Sequence, residues 1–204
     1  MQNNKNVIKV VLLGESGVGK TCLIRAYIDK KFVQTFSTIN YEYFKKEVKR
    51  GQTAYNIHVW DTAGQERFRS LSKIFIKDSQ IVLFVFDITN KNSFENIPFW
   101  VNYVEELLGK DIVFGLVGNK IDLFDKMEDD NVIVSNEEGQ KYADEIGALF
   151  RETSAKESPE EFEKFMNELI DLFLSKRKDT EKEWEILSLE TNKKKKKKKK
   201  CFWK

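Results

Sequence analysis

A mostly parallel six-stranded α/β sheet, with one antiparallel edge strand and helices on both faces, is the fold class this sequence predicts. Short apolar and β-branched runs, continuous rather than alternating, mark strands buried on both sides. Capped helical stretches separate those runs, the order that builds crossover units and a parallel sheet. One pair of runs instead meets across the turn Arg50-Gly51-Gln52 and supplies the antiparallel edge.

Val7 to Leu13 opens the domain as a buried strand ending at Gly14, and a helix follows from about Lys20. Tyr41 to Lys49 and Ala54 to Trp60 form the hairpin, with Tyr55, Ile57 and Val59 alternating to one face. Further strands are expected at Ile81–Phe86, Ile112–Val117 and Ala148–Phe150, and helices at about 93–108, 136–146 and 160–176. The second of these helices starts with the capping box Ser135-x-x-Glu138. The third starts with Ser158-Pro159-Glu160-Glu161: a cap residue, a proline where no donor is needed, and acids at the positive dipole end. Pro98 has no N–H to give the preceding turn, so regular helix in the first is expected to begin only near Pro98. The resulting division is a disordered N-terminus over 1–6, one domain over 7–176 and a flexible tail over 177–204, with a lysine run at Lys193–Lys200 and then Cys201.

The chain has 204 residues, 41% of them hydrophobic, which suffices for a sizeable core and excludes a wholly disordered chain. Its longest apolar run, Ile81–Phe86, is far short of the ~18 residues of a membrane span, and Met1 to Asn6 is too polar for a signal peptide, so a soluble intracellular chain is expected. The net charge of +2 conceals an asymmetry. Nine of the 35 basic residues lie in 193–204, leaving 26 against 33 acidic residues over 1–192, a net of −7. An acidic body with a basic tail points to an anionic surface met by the tail and away from nucleic acid. Cys22 and Cys201 are too far apart in sequence and too few for a disulfide framework.

Gly14-Glu15-Ser16-Gly17-Val18-Gly19-Lys20-Thr21 matches G-x-x-x-x-G-K-[ST], set after a strand and before a helix. Glycines there let backbone N–H groups wrap phosphates, the helix N-terminus adds positive potential, Lys20 reaches the β- and γ-phosphates, and Thr21 ligates Mg²⁺. A glycine-rich turn without a ligand is the competing reading. The loop implies a nucleoside triphosphate without naming the base. Asn119-Lys120-Ile121-Asp122 supplies that, since a carboxylate can accept from both N1–H and the 2-amino group of guanine, donors that adenine does not pair. Its place at the carboxyl end of a strand is where open α/β sheets bind ligands.

With these motifs the sequence resembles the Ras superfamily of small GTPases, and within it the Rab family, over about residues 7–175. The resemblance rests on Gly14–Thr21, Thr38-Ile39, Trp60 through Arg69, Asn119–Asp122 and Glu152-Thr153-Ser154-Ala155-Lys156. It implies a P-loop small G domain that binds GTP or GDP with Mg²⁺. Ser16, Gly17, Val18, Gly19, Lys20, Thr21 and Cys22 would contact the nucleotide, with Phe32 edge-on to guanine, Asn119, Lys120 and Asp122 at the base, and Ser154, Ala155 and Lys156 contacting it chiefly through backbone N–H. Thr21 and Thr38 would ligate the metal and Asp61 would hold it through a water. Gly64 would sense the γ-phosphate and Gln65 would orient the attacking water, so Gln65, Lys20, Thr38 and Gly64 carry the catalysis.

Ile39, Tyr43, Trp60 and Phe75 match the Rab effector surface, although aromatics there also serve as packing. The same resemblance implies a monomer with an exchange factor, a GTPase-activating protein, a GDP-dissociation inhibitor or escort protein, and effectors. It implies a cycle between the cytosol and the cytoplasmic face of an intracellular membrane in vesicle traffic. Cys201 is placed like a prenylated cysteine; the competing reading leaves it unmodified, with Phe202 and Trp203 dipping into the interface. The first switch is one residue shorter than usual between Lys20 and Thr38, Asn40 stands where Rab proteins commonly carry glycine, and Tyr43 stands for phenylalanine. His58 reads as a solvated or interswitch side chain and Cys22 as a small buried hydrophobe. Glu128-Asp129-Asp130 reads as a solvated loop. The alternatives are a nucleotide-bound interaction module with negligible hydrolysis and, less in keeping with Asn119–Asp122, a P-loop kinase or ATPase.

Overall fold

The computed structural model describes residues 6–35, 41–62, 69–109, 112–126 and 133–201. The chain divides into two units, Met1–Ile170 and Asp171–Lys204. In the first, β1 (Val7–Leu13), β2 (Glu42–Arg50), β3 (Thr53–Asp61), β4 (Ile81–Asp87), β5 (Val113–Asn119) and β6 (Leu149–Thr153) form one sheet in the order β2-β3-β1-β4-β5-β6. β2 runs antiparallel to β3, with Tyr43 opposite Trp60, and the other described neighbours are parallel. The helices are α1 (Lys20–Asp29), α2 (Arg69–Ile76), α3 (Lys91–Glu95), α4 (Ile97–Leu108), α5 (Asn136–Ile146) and α6 (Pro159–Cys201), and a 3₁₀ turn covers Ile121–Lys126.

Every residue of β4 and β5 is buried, as the continuous apolar runs require of strands covered on both sides. Val82, Phe84 and Phe86 of β4 join Ile97, Trp100, Val101 and Val104 of α4 in one core, while the alternate Ile81, Leu83 and Val85, equally buried, point the other way. On that second side, a Cβ at Gly115 of β5 would stand 2.9 Å from Leu169 and 3.2 Å from Phe165, so the missing side chain lets α6 pack close to the sheet. Each fully buried side chain of this size is worth about 1.5–3 kcal/mol.

The structure moves several predicted limits. The helix expected over 93–108 is two helices broken at Asn96, because Pro98 without an N–H belongs in the first turn of α4. α2 goes unforeseen, although Leu71, Ile74 and Phe75 fall at helical spacing. α6 does not stop at Lys176 but continues to Cys201, over a stretch rich in Lys and Glu, which have high intrinsic helix propensity. β4, β5 and β6 each run past the apolar stretch that marks them, into Asp87, Asn119 and Thr153, and these three stand in register across the sheet. Ser135 caps α5 as expected, its Oγ accepting from the Glu138 N–H at 3.1 Å. No helix among the described residues is long and apolar enough to cross a membrane.

Candidate functional site

β1 lies between β3 and β4, where successive connections leave in opposite directions, and its carboxyl end opens into the Gly14–Gly19 loop. Gly14 has φ 144°, and a Cβ there would lie 2.1 Å from the Val85 carbonyl oxygen, so only glycine lets the chain leave the strand along this path. Gly19, at φ 95°, leads into α1 with Asn119 Nδ2 only 2.3 Å from where its Cβ would be. No side chain caps α1, so its first N–H groups stand at the loop as anion donors. Lys20 is 5% exposed, and its Nζ donates to the carbonyls of Gly14 at 2.9 Å and Glu15 at 2.8 Å. Burial brings its pKa down to about 8 against the opposing pull of Asp61 and Glu15.

Thr21 Oγ1 donates to Asp61 Oδ2 at 2.5 Å, joining the start of α1 to the end of β3. Asp61 is fully buried, its other oxygen has no hydrogen-bond partner among the described residues, and burial raises its pKa to about 6. A buried carboxylate oxygen left unpaired beside a threonine hydroxyl is a donor set suited to a hard divalent cation such as Mg²⁺.

The other end of the cleft is built from β5 and the loop after β6. Asn119 Nδ2 donates to the Val18 carbonyl at 2.8 Å, and Asn119 Oδ1 accepts from the Ala155 N–H at 3.2 Å, so one side chain ties the phosphate loop to the base loop. Ser154 Oγ donates to Asp122 Oδ1 at 2.6 Å and accepts from the N–H groups of Lys156 and Glu157. The N–H of Ser154 goes to Ser158 Oγ at 2.9 Å. The N–H groups of Ser154, Ala155 and Lys156, expected at the base, thus each have a partner inside the chain, and those of Lys156 and Glu157 hold the Ser154 hydroxyl that meets Asp122.

These parts enclose one cleft of about 460 Å³, within the range of ligand pockets. Ser16, Gly17, Gly19, Lys20, Thr21, Phe32, Asn119, Lys120, Asp122, Ser154, Ala155 and Lys156 line it. Val18 takes part only through its carbonyl, since its side chain is buried in the core. Cys22 is corrected by the structure. It falls outside the stripe of Leu23, Ile24 and Tyr27 that faces the core, so it is half-buried on the cleft wall, with Sγ 3.4 Å from Thr35 Oγ1. Thr38, Ile39, Gly64, Gln65, the switch residue Asn40 and the acidic Glu128–Asp130 lie outside the described residues, as does the side chain of Cys201. Sequence reasoning missed Gln34, Thr35, Thr62 and Leu123 on the wall, and Asp87, which pairs with Lys120 at 2.6 Å. Asp87 closes an apolar run as Asn119 does, and that shared position is the signal that could have found it.

Away from the cleft, Tyr43 meets Trp60 at 5.0 Å and Trp60 meets Phe75 at 5.2 Å between ring centroids, linking β2, β3 and α2. Tyr41, not singled out in the sequence, stacks on Phe75 at 3.8 Å, and His58 stands edge-on to Tyr43 at 5.4 Å. His58 is half-buried, and burial together with Lys45 lowers its pKa, as expected of an interswitch side chain. Tyr43 is 46% exposed, so part of this array faces solvent.

The family model described as the Ras family matches residues 9–175. Ras-related protein Rab-26 of Rattus norvegicus is 42% identical over 150 residues, covering 72% of this chain and 56% of the relative. Its counterpart in Mus musculus is 41% identical over the same length and shares. The chain thus spans a little over half the length of these relatives. A phosphate loop at the turn out of β1, a buried aspartate against Thr21 and a fixed carboxylate at Asp122 are the parts such a family needs, and the chain belongs to the Ras family, with its similarity inside that family directed to Rab proteins.

Proposed function

We propose that this chain is a Rab-like GTP/GDP switch of vesicle traffic that binds guanine nucleotide with Mg²⁺ and hydrolyses GTP slowly. The observation that carries this reading is the convergence on one cleft of the Gly14–Thr21 loop, the Thr21–Asp61 pair and the Asn119–Asp122–Ser154 network. The loop N–H groups and Lys20 would hold the phosphates, and Thr21 and Thr38, with Asp61 through a water, would hold the metal. Mg²⁺, when bound, neutralises charge on the β- and γ-phosphate oxygens. Gln65 orients the attacking water and Gly64 responds to the γ-phosphate. The phosphoryl group needs no covalent partner on the protein, so positioning and charge account for the catalysis. Loss of the γ-phosphate releases the segments around Thr38 and Gly64, and effectors reading Ile39, Tyr43, Trp60 and Phe75 dissociate.

An exchange factor, a GTPase-activating protein and a GDP-dissociation inhibitor or escort protein complete the cycle. The lysine tail, with a prenylated Cys201, holds the active form on the cytoplasmic face of an intracellular membrane. The motif blocks contain no arginine placed as a finger in cis, so intrinsic turnover should be on the order of 10⁻⁴ s⁻¹. Competition of fluorescent GDP against GTP, XTP and ATP, followed by single-turnover phosphate release, tests the proposal. Binding of ATP as tight as that of GTP would overturn it, and absence of any release would leave the interaction module in its place.

A further inference from the structure

Lys120 occupies a left-handed backbone conformation, φ 71°, that a residue with a Cβ adopts only at an energetic cost. It is the point at which β5 turns into the 3₁₀ segment carrying Asp122, since the Lys120 carbonyl accepts from the Leu123 N–H at 2.9 Å. Its side chain lines the nucleotide cleft, and its Nζ stands 2.6 Å from Asp87 Oδ2, with side-chain exposures of 30% and 11%.

Asp87 is itself fixed from several directions. Its Oδ1 accepts from Thr89 N–H at 3.0 Å and from Thr89 Oγ1 at 2.7 Å, and its own N–H donates to Ser93 Oγ at 3.0 Å. The next residue joins the sheet to β5, the Ile88 N–H donating to the Asn119 carbonyl at 3.1 Å. A carboxylate with one oxygen bound by its own turn and the other given to a lysine on the cleft wall is a preset anchor for that lysine.

We infer that Asp87 is a positioning residue for the base-binding end of the cleft, aiming Lys120 and so setting how long a guanine nucleotide stays bound. The inference rests on the guanine-nucleotide reading above and extends it to the control of release. Asp87 touches no nucleotide in this scheme; it acts through Lys120, and its Oδ1 bonds to Thr89 are compatible with an amide, so Asp87→Asn removes the ion pair and leaves the turn.

The test is release of fluorescent GDP from the full chain, chased with unlabelled GDP, in four proteins: parent, Asp87→Asn, Lys120→Met and the double variant. Asp87→Asn should speed release on the order of tenfold, the worth of one charge-assisted hydrogen bond. The same change in the Lys120→Met background should add less than twofold. Equal acceleration in both backgrounds, or none in either, would overturn the inference. If Asp87→Asn fails to fold, Thr89→Val serves instead, because it removes one bond that aims the carboxylate. Its acceleration of the parent, on the order of threefold, should again vanish with Lys120→Met; no acceleration of the parent, or an acceleration that persists with Lys120→Met, would overturn the inference. A parent that holds no GDP defeats the guanine-nucleotide reading, whereas a parent that holds GDP beside an unchanged Asp87→Asn defeats only this one.

Discussion

Ser154 donates to one oxygen of Asp122 and so holds the carboxylate that the proposed function assigns to the paired donors of guanine. Asp122→Asn replaces one acceptor by a donor. Guanine then faces an unmatched N–H, while a xanthine base, with a 2-oxo group, gains a partner. GTP affinity should fall by at least tenfold and XTP affinity should rise, both read by competition with fluorescent GDP; unchanged GTP affinity would refute the assignment. Tyr27 presents the opposite case of a polar atom without a task. Its ring is buried, packs edge-on to Phe162 at 6.2 Å and lies 3.6 Å beneath the Lys46 ammonium, but its hydroxyl has no hydrogen-bond partner among the described residues. Tyr27→Phe keeps both ring contacts and removes the desolvated hydroxyl, so unfolding should require up to about 1 kcal/mol more. A denaturant titration showing clear destabilisation would mean that the hydroxyl is satisfied after all.

At the scale of elements, the edge strand β2 is tied to α1 and to the start of α6 by charge. Glu163 of α6 receives Lys46 of β2 at 3.1 Å and also pairs with Lys30 at the end of α1, while Arg50 donates to Asn167 Oδ1 at 2.8 Å. The first influence on Glu163 is its hydrogen bond with Lys30, and it holds the carboxyl below its ordinary 4.5 against the contrary effect of burial. A carboxyl whose folded pKa is depressed contributes stability above its unfolded pKa, and that contribution is lost as the pH falls through the folded one. Glu163→Gln should therefore cost about 0.5–1 kcal/mol at pH 7, as partly exposed pairs do. The gap to the parent should close on acidification below about pH 4. Urea midpoints measured at pH 7 and pH 3.5 would show it, and a gap that stays constant with pH would remove the charge argument. The same reasoning explains why β2 alternates half-buried and exposed residues without a continuous apolar face: its attachment is shared between the β3 ladder and these ion pairs.

For the whole molecule the governing quantity is the separation of charge between an acidic body and the lysine run 193–200. An anionic leaflet draws each charge of such a run with up to about 1 kcal/mol before screening. One lipid chain is a marginal anchor and a polybasic run is a second signal. Removal of Lys193–Lys200 should release the protein from anionic vesicles in a salt-dependent way. Cys201→Ser should release it from membranes of its native cells in high salt, where the lysines alone are screened. An unshifted intact mass for the native protein, or a Cys201→Ser chain that stays fully bound in high salt, would defeat the lipid anchor.

The sequence by itself determined the fold class, the phosphate loop and the base motif. Each is written in contiguous residues: unbroken apolar runs force two-sided burial, Gly14–Thr21 can form a phosphate cradle wherever a strand precedes a helix, and Asn119–Asp122 follows such a strand. Tertiary structure alone decided what joins these pieces. That Asn119 bridges Val18 and Ala155, that Thr21 meets Asp61 and that Asp87 takes hold of Lys120 depends on strands separated by up to about a hundred residues ending side by side. Local propensity is silent on such pairs, and it misjudged Cys22 for the same reason. Which face of α1 is buried depends on the sheet beneath it, and that face is fixed only when β1, β3 and β4 have paired.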